Sequence, residues 1–250
     1  MVVEPKAIVT VRNSSTRLPN KAIMKIKNDL SSIDIVIKRA KKSGFPVVLA
    51  TSTDVQDNVF VGIAQKHHIE IFRGSLLNKI KRWYDCFNKL QIEHALLVDG
   101  DDLSYDYDVA KRAMLQLHTS KDIDIVASPK ETVCGFFTYA ITKNAISKLY
   151  SLATDDSLNT DVITKYIELA KLNVSYVSLE QHEKNKDVRL TLDYNEDLEF
   201  FRELYRNVDV LDNGKTIIKF LEANKSVSQI NFHRQKDFLA NQAKFNEGVK

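Results

Sequence analysis

The chain has 250 residues, of which 44% are hydrophobic and 28% charged, and its formal net charge is +3. That length can bury a sizeable core without disulfide or metal cross-links. No apolar run approaches the eighteen residues of a membrane span, and the net charge is too small to indicate nucleic acid as a partner. The two cysteines, Cys86 and Cys134, lie far apart. This usage predicts a reducing, cytoplasmic compartment and no disulfide framework.

The first half of the chain alternates short apolar runs with helical patterns. Apolar runs of strand length lie at residues 7–11, 47–50, 69–72, 95–98 and 123–127. The spacing of apolar residues between them predicts helices at 32–42, 58–67, 77–90 and 109–118. This alternation predicts an α/β fold with a mainly parallel central sheet and helices on both faces.

The second half is less regular. Runs at 133–141, 174–178 and 188–192 predict further strands, and the aromatic residues of the first run are assigned to the core. Helical patterns lie at 143–152, 161–172, 195–206 and from 214 onwards. The last thirty residues are rich in lysine, with Phe232, Phe238 and Phe245 among them. We predict one domain at 1–222 and a C-terminal helical tail at 223–250, formed by solvated helices that pack through Phe232 and Phe238, with a dimer contact left open.

The most informative segment is the loop RNSSTRLPNK at residues 12–21, directly after the first predicted strand. Ligands of open α/β sheets bind outside the carboxyl ends of strands, and this loop combines three cations with hydroxyl and amide groups. Such a set of donors suits a polyphosphate. The chain has neither the glycine-rich phosphate loop nor the G-x-G-x-x-G dinucleotide motif. The alternative is a solvated basic loop that only maintains solubility.

Five segments in chain order resemble one enzyme family. The loop at 12–21 resembles the R-x-x-S-T-R-L-P-x-K signature of the cytidylyltransferases that make CMP-activated sugars. ATSTDVQDN, FRGS followed by RWY, VDGDD and RLTLDYNEDLE are similar to later segments of the same family. The family includes the acylneuraminate and 3-deoxy-manno-octulosonate cytidylyltransferases and the spore-coat polysaccharide protein F group, which is the most similar in layout. The resemblance covers residues 7–220 and implies that an acceptor oxygen attacks the α-phosphorus of CTP.

The resemblance also implies roles for individual residues. Arg12, Arg17 and Lys21 would be catalytic and contact the β- and γ-phosphates, since arginine suits bidentate phosphate contacts. Ser15 and Thr16 would complete the phosphate cradle. The rest of the nucleotide pocket is assigned, again by resemblance, to Thr51, Arg73, Gly74 and Ser75.

Magnesium is the cofactor that the resemblance implies, with Asp101 and Asp193 as its ligands. Magnesium takes hard oxygen ligands, usually one or two carboxylates with phosphates and water. Each aspartate has a structural alternative: Asp101 as a turn or cap residue, and Asp193 as the cap of the helix near Asn195. Asp99 and Asp102 are further candidates for the metal.

The departures from the family lie on the acceptor side. A family arginine is replaced by Leu97, and the family's R-E-H stretch reads Asn159, Thr160 and Asp161. Positive charge is thereby lost, and an anion without a partner is costly to bury. We therefore expect an acceptor that is smaller or less anionic than the usual octulosonic and nonulosonic acids, or one anchored by magnesium and Lys130.

The sequence thus predicts magnesium-dependent transfer of CMP from CTP to a small acceptor, either a sugar acid or a phosphonate- or phosphate-like molecule, for surface glycan synthesis. Two alternatives stay open. A nucleotide-sugar glycosyltransferase of the same fold would need a D-x-D metal motif, which residues 99–101 formally fit. A catalytically silent nucleotide-binding subunit would keep only the nucleotide half. A homodimer is open for each of them.

Overall fold

The computed structural model describes residues 4–249, in which the strands form a seven-stranded sheet and a two-stranded ribbon. The ribbon pairs β2 (Lys25–Lys27) with β3 (Leu30–Ser31). The strands of the main sheet are β1 (Lys6–Thr10), β4 (Val47–Ser52), β5 (Glu70–Gly74), β6 (His94–Asp99), β7 (Ile125–Ala127), β8 (Tyr139–Thr142) and β9 (Val174–Tyr176).

Helices connect the strands and complete the chain. They are α1 (Ser32–Lys42), α2 (Val59–Lys66), α3 (Lys79–Lys89), α4 (Tyr107–Thr119), α5 (Lys143–Ser151), α6 (Thr164–Leu169), α7 (Asn195–Asn207), α8 (Gly214–Ala223), α9 (Lys225–Phe232) and α10 (Gln235–Glu247). Within residues 4–249, none of them has the length and apolar character that a membrane crossing requires.

The order of the main sheet is β5-β4-β1-β6-β8-β7-β9, and β8 is antiparallel to both of its neighbours. Alternate residues of β1 enter two apolar clusters: Ala7 and Val9 pack on one face of the sheet, and Ile8 packs on the other. The predicted α/β fold, with a mainly parallel sheet between helices, is confirmed. The chain runs from β1 to β4 and β5 on one side and then returns to β6 on the other. A ligand-binding cleft is expected at such a reversal of strand order.

Two of the predicted strands differ from the structure. In the run at 133–141, only the end belongs to a strand, β8, while Phe136 and Phe137 are buried in the loop before it. The run at 188–192 is not a strand. It makes a single bridge between Arg189 and Cys134, and it then follows the turn after β6, where Leu192 N–H donates to Asp101 O at 2.9 Å. The apolar residues of both runs are buried in packed loops. A buried loop needs apolar residues just as a buried strand does, which explains the strand-like pattern.

The tail forms α9 and α10, which lie between Lys225 and Glu247. Helix α9 packs against α7 and α8, so this part of the tail rests on the domain. The boundary at residue 222 lies within the last turn of α8, and its status as a domain boundary stays a prediction.

Gly135 allows the loop before β8 to approach the segment that leads to Asp193. Its φ is +90°, and a Cβ there would lie 2.2 Å from Leu190 O. Gly44 has a similar φ of +85°, but a Cβ on it would meet nothing within 4 Å. Both substitutions to alanine carry the left-handed backbone cost of about 1–2 kcal/mol, and only one adds a collision with backbone.

We therefore expect Gly135→Ala to lower the free energy of unfolding by at least about 2 kcal/mol more than Gly44→Ala does. Urea unfolding of both variants measures this difference directly. Equal losses for the two variants would show that the segment at 189–191 moves aside without cost.

Candidate active site

A cleft of about 840 Å³ lies at the carboxyl ends of β1 and β6. Its walls come from the loop at 12–21 after β1, the turn at 99–102 after β6, the loops at 128–138 and 159–162, and the segment that contains Asp193. One face of α10 completes it. The cleft therefore lies where the strand order predicts a ligand site, and the loop at 12–21, whose donors suit a polyphosphate, forms part of it.

Lys21 lies at the centre of the charged groups in this cleft. Its Nζ donates to Asp101 Oδ2 at 2.6 Å, to Asp193 Oδ1 at 2.9 Å and to Leu192 O at 2.8 Å. The preceding Asn20 has a φ of 60°, a left-handed conformation that asparagine tolerates well. One ammonium group thus joins two carboxylates that are 92 positions apart in the sequence.

The electrostatic environment keeps Lys21 and Asp193 ionised. Burial alone would lower the pKa of Lys21, but the carboxylates of Asp101 and Asp193 raise it above its ordinary value. Burial alone would raise the pKa of Asp193, but Lys21, Arg17 and Arg189 hold it below its ordinary range. Lys21 is therefore a fixed cation and Asp193 a fixed anion at physiological pH.

The two arginines of the loop at 12–21 are also paired with carboxylates. Arg12 donates to Asp161 in an ion pair and to Leu76 O at 3.0 Å. Arg17 donates to Asp193 Oδ1 at 2.5 Å. The three cations that the sequence assigned to triphosphate contacts thus lie in one cleft, and each has an acidic partner there.

Asp193 is held in place by a buried ion-pair network. Arg189 donates to Asp193 Oδ2 at 3.0 Å and to both carboxylate oxygens of Asp197, at 3.0 and 3.2 Å. All three side chains are at most 2% exposed. Removing Arg189 would leave the buried carboxylate of Asp197 without its cationic partner, which typically costs about 3–5 kcal/mol. Arg189 and Asp197 are positioning residues that the sequence reasoning missed, although both lie in the RLTLDYNEDLE segment.

The same contacts decide against the structural alternative for Asp193. The N-cap of α7 is Tyr194, and Asp197 in the first turn of the helix accepts at its Oδ2 from the backbone N–H groups of Asp193 and Tyr194 at 2.8 and 2.9 Å. The carboxylate of Asp193 accepts instead from Lys21 and Arg17 on the cleft side.

Asp101 also points towards the cleft. The cap of α4 is Asp106, which accepts from the backbone N–H groups of Asp108 and Val109. Burial raises the pKa of Asp101 above its usual value, with Asp193 and Asp99 adding to the effect and Lys21 opposing it. A carboxylate in this position gains from a further cation.

The turn that carries Asp101 lies against β1. A Cβ on Gly100 would be 2.7 Å from Thr10 O, so the close approach needs glycine. Of the two further metal candidates, Asp99 pairs with Lys79 at 3.4 Å. Burial and then Asp101 raise the pKa of Asp102 well above its usual value. Both carboxylates line the cleft beside Asp101.

The cleft contains equal numbers of basic and acidic residues. The basic residues are Arg12, Arg17, Lys21, Lys79 and Arg82, and the acidic residues are Asp99, Asp101, Asp102, Asp161 and Asp193. A triphosphate would therefore find little net positive charge unless a further cation offset the carboxylates. Asp101 and Asp193 fit magnesium, because they offer hard oxygen ligands and already share a cationic partner.

Of the residues assigned to nucleotide binding, Ser15 and Thr16 line the cleft. Thr51, Arg73, Gly74 and Ser75 do not lie among its wall residues. The guanidinium of Arg73 donates to Ser52 O and Asp54 O, both at 2.9 Å. The Thr51 side chain is fully buried. The structure thus gives Arg73 a structural contact, and the nucleotide role of these four residues stays a prediction.

The acceptor-side departures divide into two groups. Asn159 and Asp161 line the cleft. Leu97 is 3% exposed in the apolar core, so an arginine there would be buried away from the cleft wall. The side chain of Thr160 is buried too, where its Oγ1 accepts from Ile80 N–H at 3.0 Å. Lys130 is exposed outside the cleft wall, so the arrangement gives no support to the expected anchoring of an acceptor by Lys130.

Comparison with known proteins agrees with this geometry. The spore coat polysaccharide biosynthesis protein SpsF of Bacillus subtilis is 24% identical over 209 residues, covering 80% of this chain and 85% of SpsF. The structure of a cytidylyltransferase from Leptospira borgpetersenii has a TM-score of 0.80 at 22% identity, covering 90% of this chain and 97% of that one. CMP:2-keto-3-deoxy-manno-octonic acid synthetase, complexed with CTP, has a TM-score of 0.63 at 13% identity and covers 82% and 99% of the two chains.

The structural likenesses show the fold, and the family model goes further. The model described as cytidylyltransferase matches residues 6–217, which include the loop after β1, the turn after β6 and Asp193. The match is to cytidylyltransferases and therefore decides against the glycosyltransferase alternative. The chain belongs to the cytidylyltransferase family and is a nucleotidyltransferase.

Proposed function

We propose that the protein transfers CMP from CTP to a small acceptor in a magnesium-dependent reaction that releases pyrophosphate. An acceptor oxygen forms a bond to the α-phosphorus, and the bond from that phosphorus to the bridging oxygen breaks. The observation that carries the proposal is the placement of Lys21 Nζ between Asp101 and Asp193, with Arg12 and Arg17 in the same cleft.

The protein need form no covalent bond to the substrate in this reaction, so charged and polar side chains like those of the cleft are sufficient for it. Positioning and neutralisation of developing charge account for most of the catalysis in such transfers. Arg12, Arg17 and Lys21 would exchange their carboxylate partners for phosphate oxygens when CTP binds. Asp101 and Asp193 would hold magnesium, which supplies positive charge beside the reacting phosphate when bound.

For the acceptor we propose a sugar acid or a related molecule in surface glycan synthesis. We place the reaction in the cytoplasm. The name of SpsF, a polysaccharide biosynthesis protein, supports that assignment. Asp161 stands where the family has the histidine of its R-E-H stretch, and it pairs with Arg12. A second anion near this pair would meet a carboxylate, so the acceptor should be less anionic than octulosonic acids.

The nucleotide preference gives the first functional test. We expect CTP with magnesium to raise the melting temperature of the protein more than ATP, GTP or UTP does, because a ligand that binds only the folded state stabilises it. Thermal unfolding with each nucleotide at one concentration measures the effect. Equal shifts for all four nucleotides would contradict the assignment to CTP. Pyrophosphate release from CTP, magnesium and a panel of sugar acids and phosphonates then tests the transfer itself.

A further inference from the structure

Helix α10 contributes one complete face to the cleft. Phe238, Asn241, Gln242 and Phe245 line it together with Lys21 and Asp193. Their spacing of i, i+3, i+4 and i+7 places them on one side of a helix. The charged residues of α10, such as Lys236 and Lys244, are exposed elsewhere. The tail that the sequence assigned to solvated helices or a dimer contact therefore forms part of the site.

The beginning of α10 is attached to the segment that presents Asp193. Gln235 Oε1 accepts from Arg189 Nη1 at 3.2 Å, and the ring of Phe238 lies 4.8 Å from the Arg189 guanidinium carbon. Asn241 Nδ2 donates to the Tyr194 hydroxyl at 3.1 Å. In α9, Asn231 Nδ2 donates to Asp197 Oδ1 at 2.8 Å. Three of these side chains thus dock the tail onto the buried ion-pair network, and Asn241 contacts Tyr194 beside it.

From this attachment α10 crosses the cleft. Its 13 residues span roughly 20 Å at the rise of an α-helix. Val249, beyond its end, packs against the apolar cluster that α3 and α5 cover. The helix therefore forms a wall between the Asp193 side and the opposite side of the cleft.

The chemistry of this wall differs from that of the loop at 12–21. The loop offers three cations, whereas the wall of α10 offers two aromatic rings and two amides, all half-buried. Aromatic faces pack against apolar surface, and an amide both donates and accepts hydrogen bonds. That combination recognises an uncharged, hydroxyl-rich molecule better than a phosphate chain.

We propose that the face of α10 formed by Phe238, Asn241, Gln242 and Phe245 binds the acceptor, and that the acceptor presents an uncharged polyhydroxylated face to it, as a sugar ring does. The inference rests on the proposed function, because it assumes that the cations after β1 hold the triphosphate. The acceptor then occupies the remaining space between the turn at 99–102 and α10, with its reactive oxygen towards Asp101.

Gln242 and Phe245 are the residues to change, because the attachment of α10 uses Phe238 and Asn241. Leu239 is the matched control: it lies in the same helix and is 54% exposed. Pyrophosphate release is measured for Gln242→Ala, Phe245→Ala and Leu239→Ala with CTP, magnesium and a panel of aldonic acids, 3-deoxy-2-ulosonic acids and sugar phosphates. Stabilisation by CTP with magnesium is measured in parallel.

We expect Gln242→Ala and Phe245→Ala to raise the KM of the acceptor at least tenfold while the KM of CTP and the stabilisation by CTP change less than twofold. Leu239→Ala should match the wild type. An unchanged acceptor KM would overturn the inference. Loss of CTP stabilisation in the two variants would do so as well, because α10 would then contact the nucleotide.

The two proposals fail in different ways. If CTP stabilises the wild type but no member of the panel supports pyrophosphate release, the acceptor class inferred from α10 is wrong and the nucleotide assignment stands. If CTP does not stabilise the wild type more than the other nucleotides do, the proposed function itself is wrong, and the inference about α10 falls with it.

Discussion

Replacing Lys21 with methionine should lower kcat by a factor of about 10² or more, because its fixed charge would act on the negative charge that develops on pyrophosphate. Methionine keeps most of the length of the side chain and removes the ammonium group. The loss should be larger in kcat than in the affinity for CTP, since in the proposed function Arg12 and Arg17 would still contact the triphosphate. Steady-state kinetics with CTP as the varied substrate separate the two effects.

Lys25→Met is the control for this experiment. Lys25 lies four residues further along the chain and is 70% exposed, with an ion pair to Asp29 at the surface. Its replacement should change neither kcat nor the melting temperature appreciably, since exposed pairs contribute about 0–1 kcal/mol. If Lys21→Met kept kcat within threefold of the wild type, Lys21 would only link Asp101 to Asp193.

Asp101→Asn and Asp193→Asn should each lower kcat/KM for CTP by about 10³ or more, which corresponds to about 4 kcal/mol of transition-state stabilisation. The amide keeps the shape of the side chain but removes the negative charge that a magnesium ion needs. The saturation curve for magnesium should move to higher concentrations in any activity that remains. Activity as a function of magnesium concentration, measured for both variants, checks this result.

The fold of both variants should survive. Arg189 keeps its two contacts to Asp197 when Asp193 is changed, so no buried charge is left without a partner. Asp187→Asn is the control, because Asp187 is exposed six residues before Asp193. A fully active Asp193→Asn variant would show that the carboxylate serves only to hold Arg17 and Lys21.

Much of the fold could be predicted because its signals are local. The pattern at 32–42 coincides with α1, where Ser31 and Asp34 form a capping box. The apolar runs at 7–11 and 95–98 lie within one residue of the ends of β1 and β6. Buried parallel strands are short apolar runs in any sequence, and caps are set by neighbouring residues. The loop at 12–21 was informative for the same reason, since its donors are consecutive.

The wall of α10 could not be predicted, because half of its cleft-facing side chains are amides. Phe238 and Phe245 are seven residues apart, which indicates one helix face, but Asn241 and Gln242 between them reduce the apolar pattern. A helix pattern also carries no information about which surface the helix contacts. The position of α10 depends on Arg189, whose guanidinium contacts Gln235 and Phe238.

The amino-acid sequence by itself determined the order of strands and helices, the family and the loop that carries three cations. Each of these features depends on short segments of consecutive residues. Only the tertiary structure decided that Lys21 joins Asp101 to Asp193, that Tyr194 and not Asp193 is the N-cap of α7, and that Leu97 lies in the core. It also placed α10 across the cleft. These facts depend on distances between residues far apart in the chain, and such distances are set by the packing of the whole sheet.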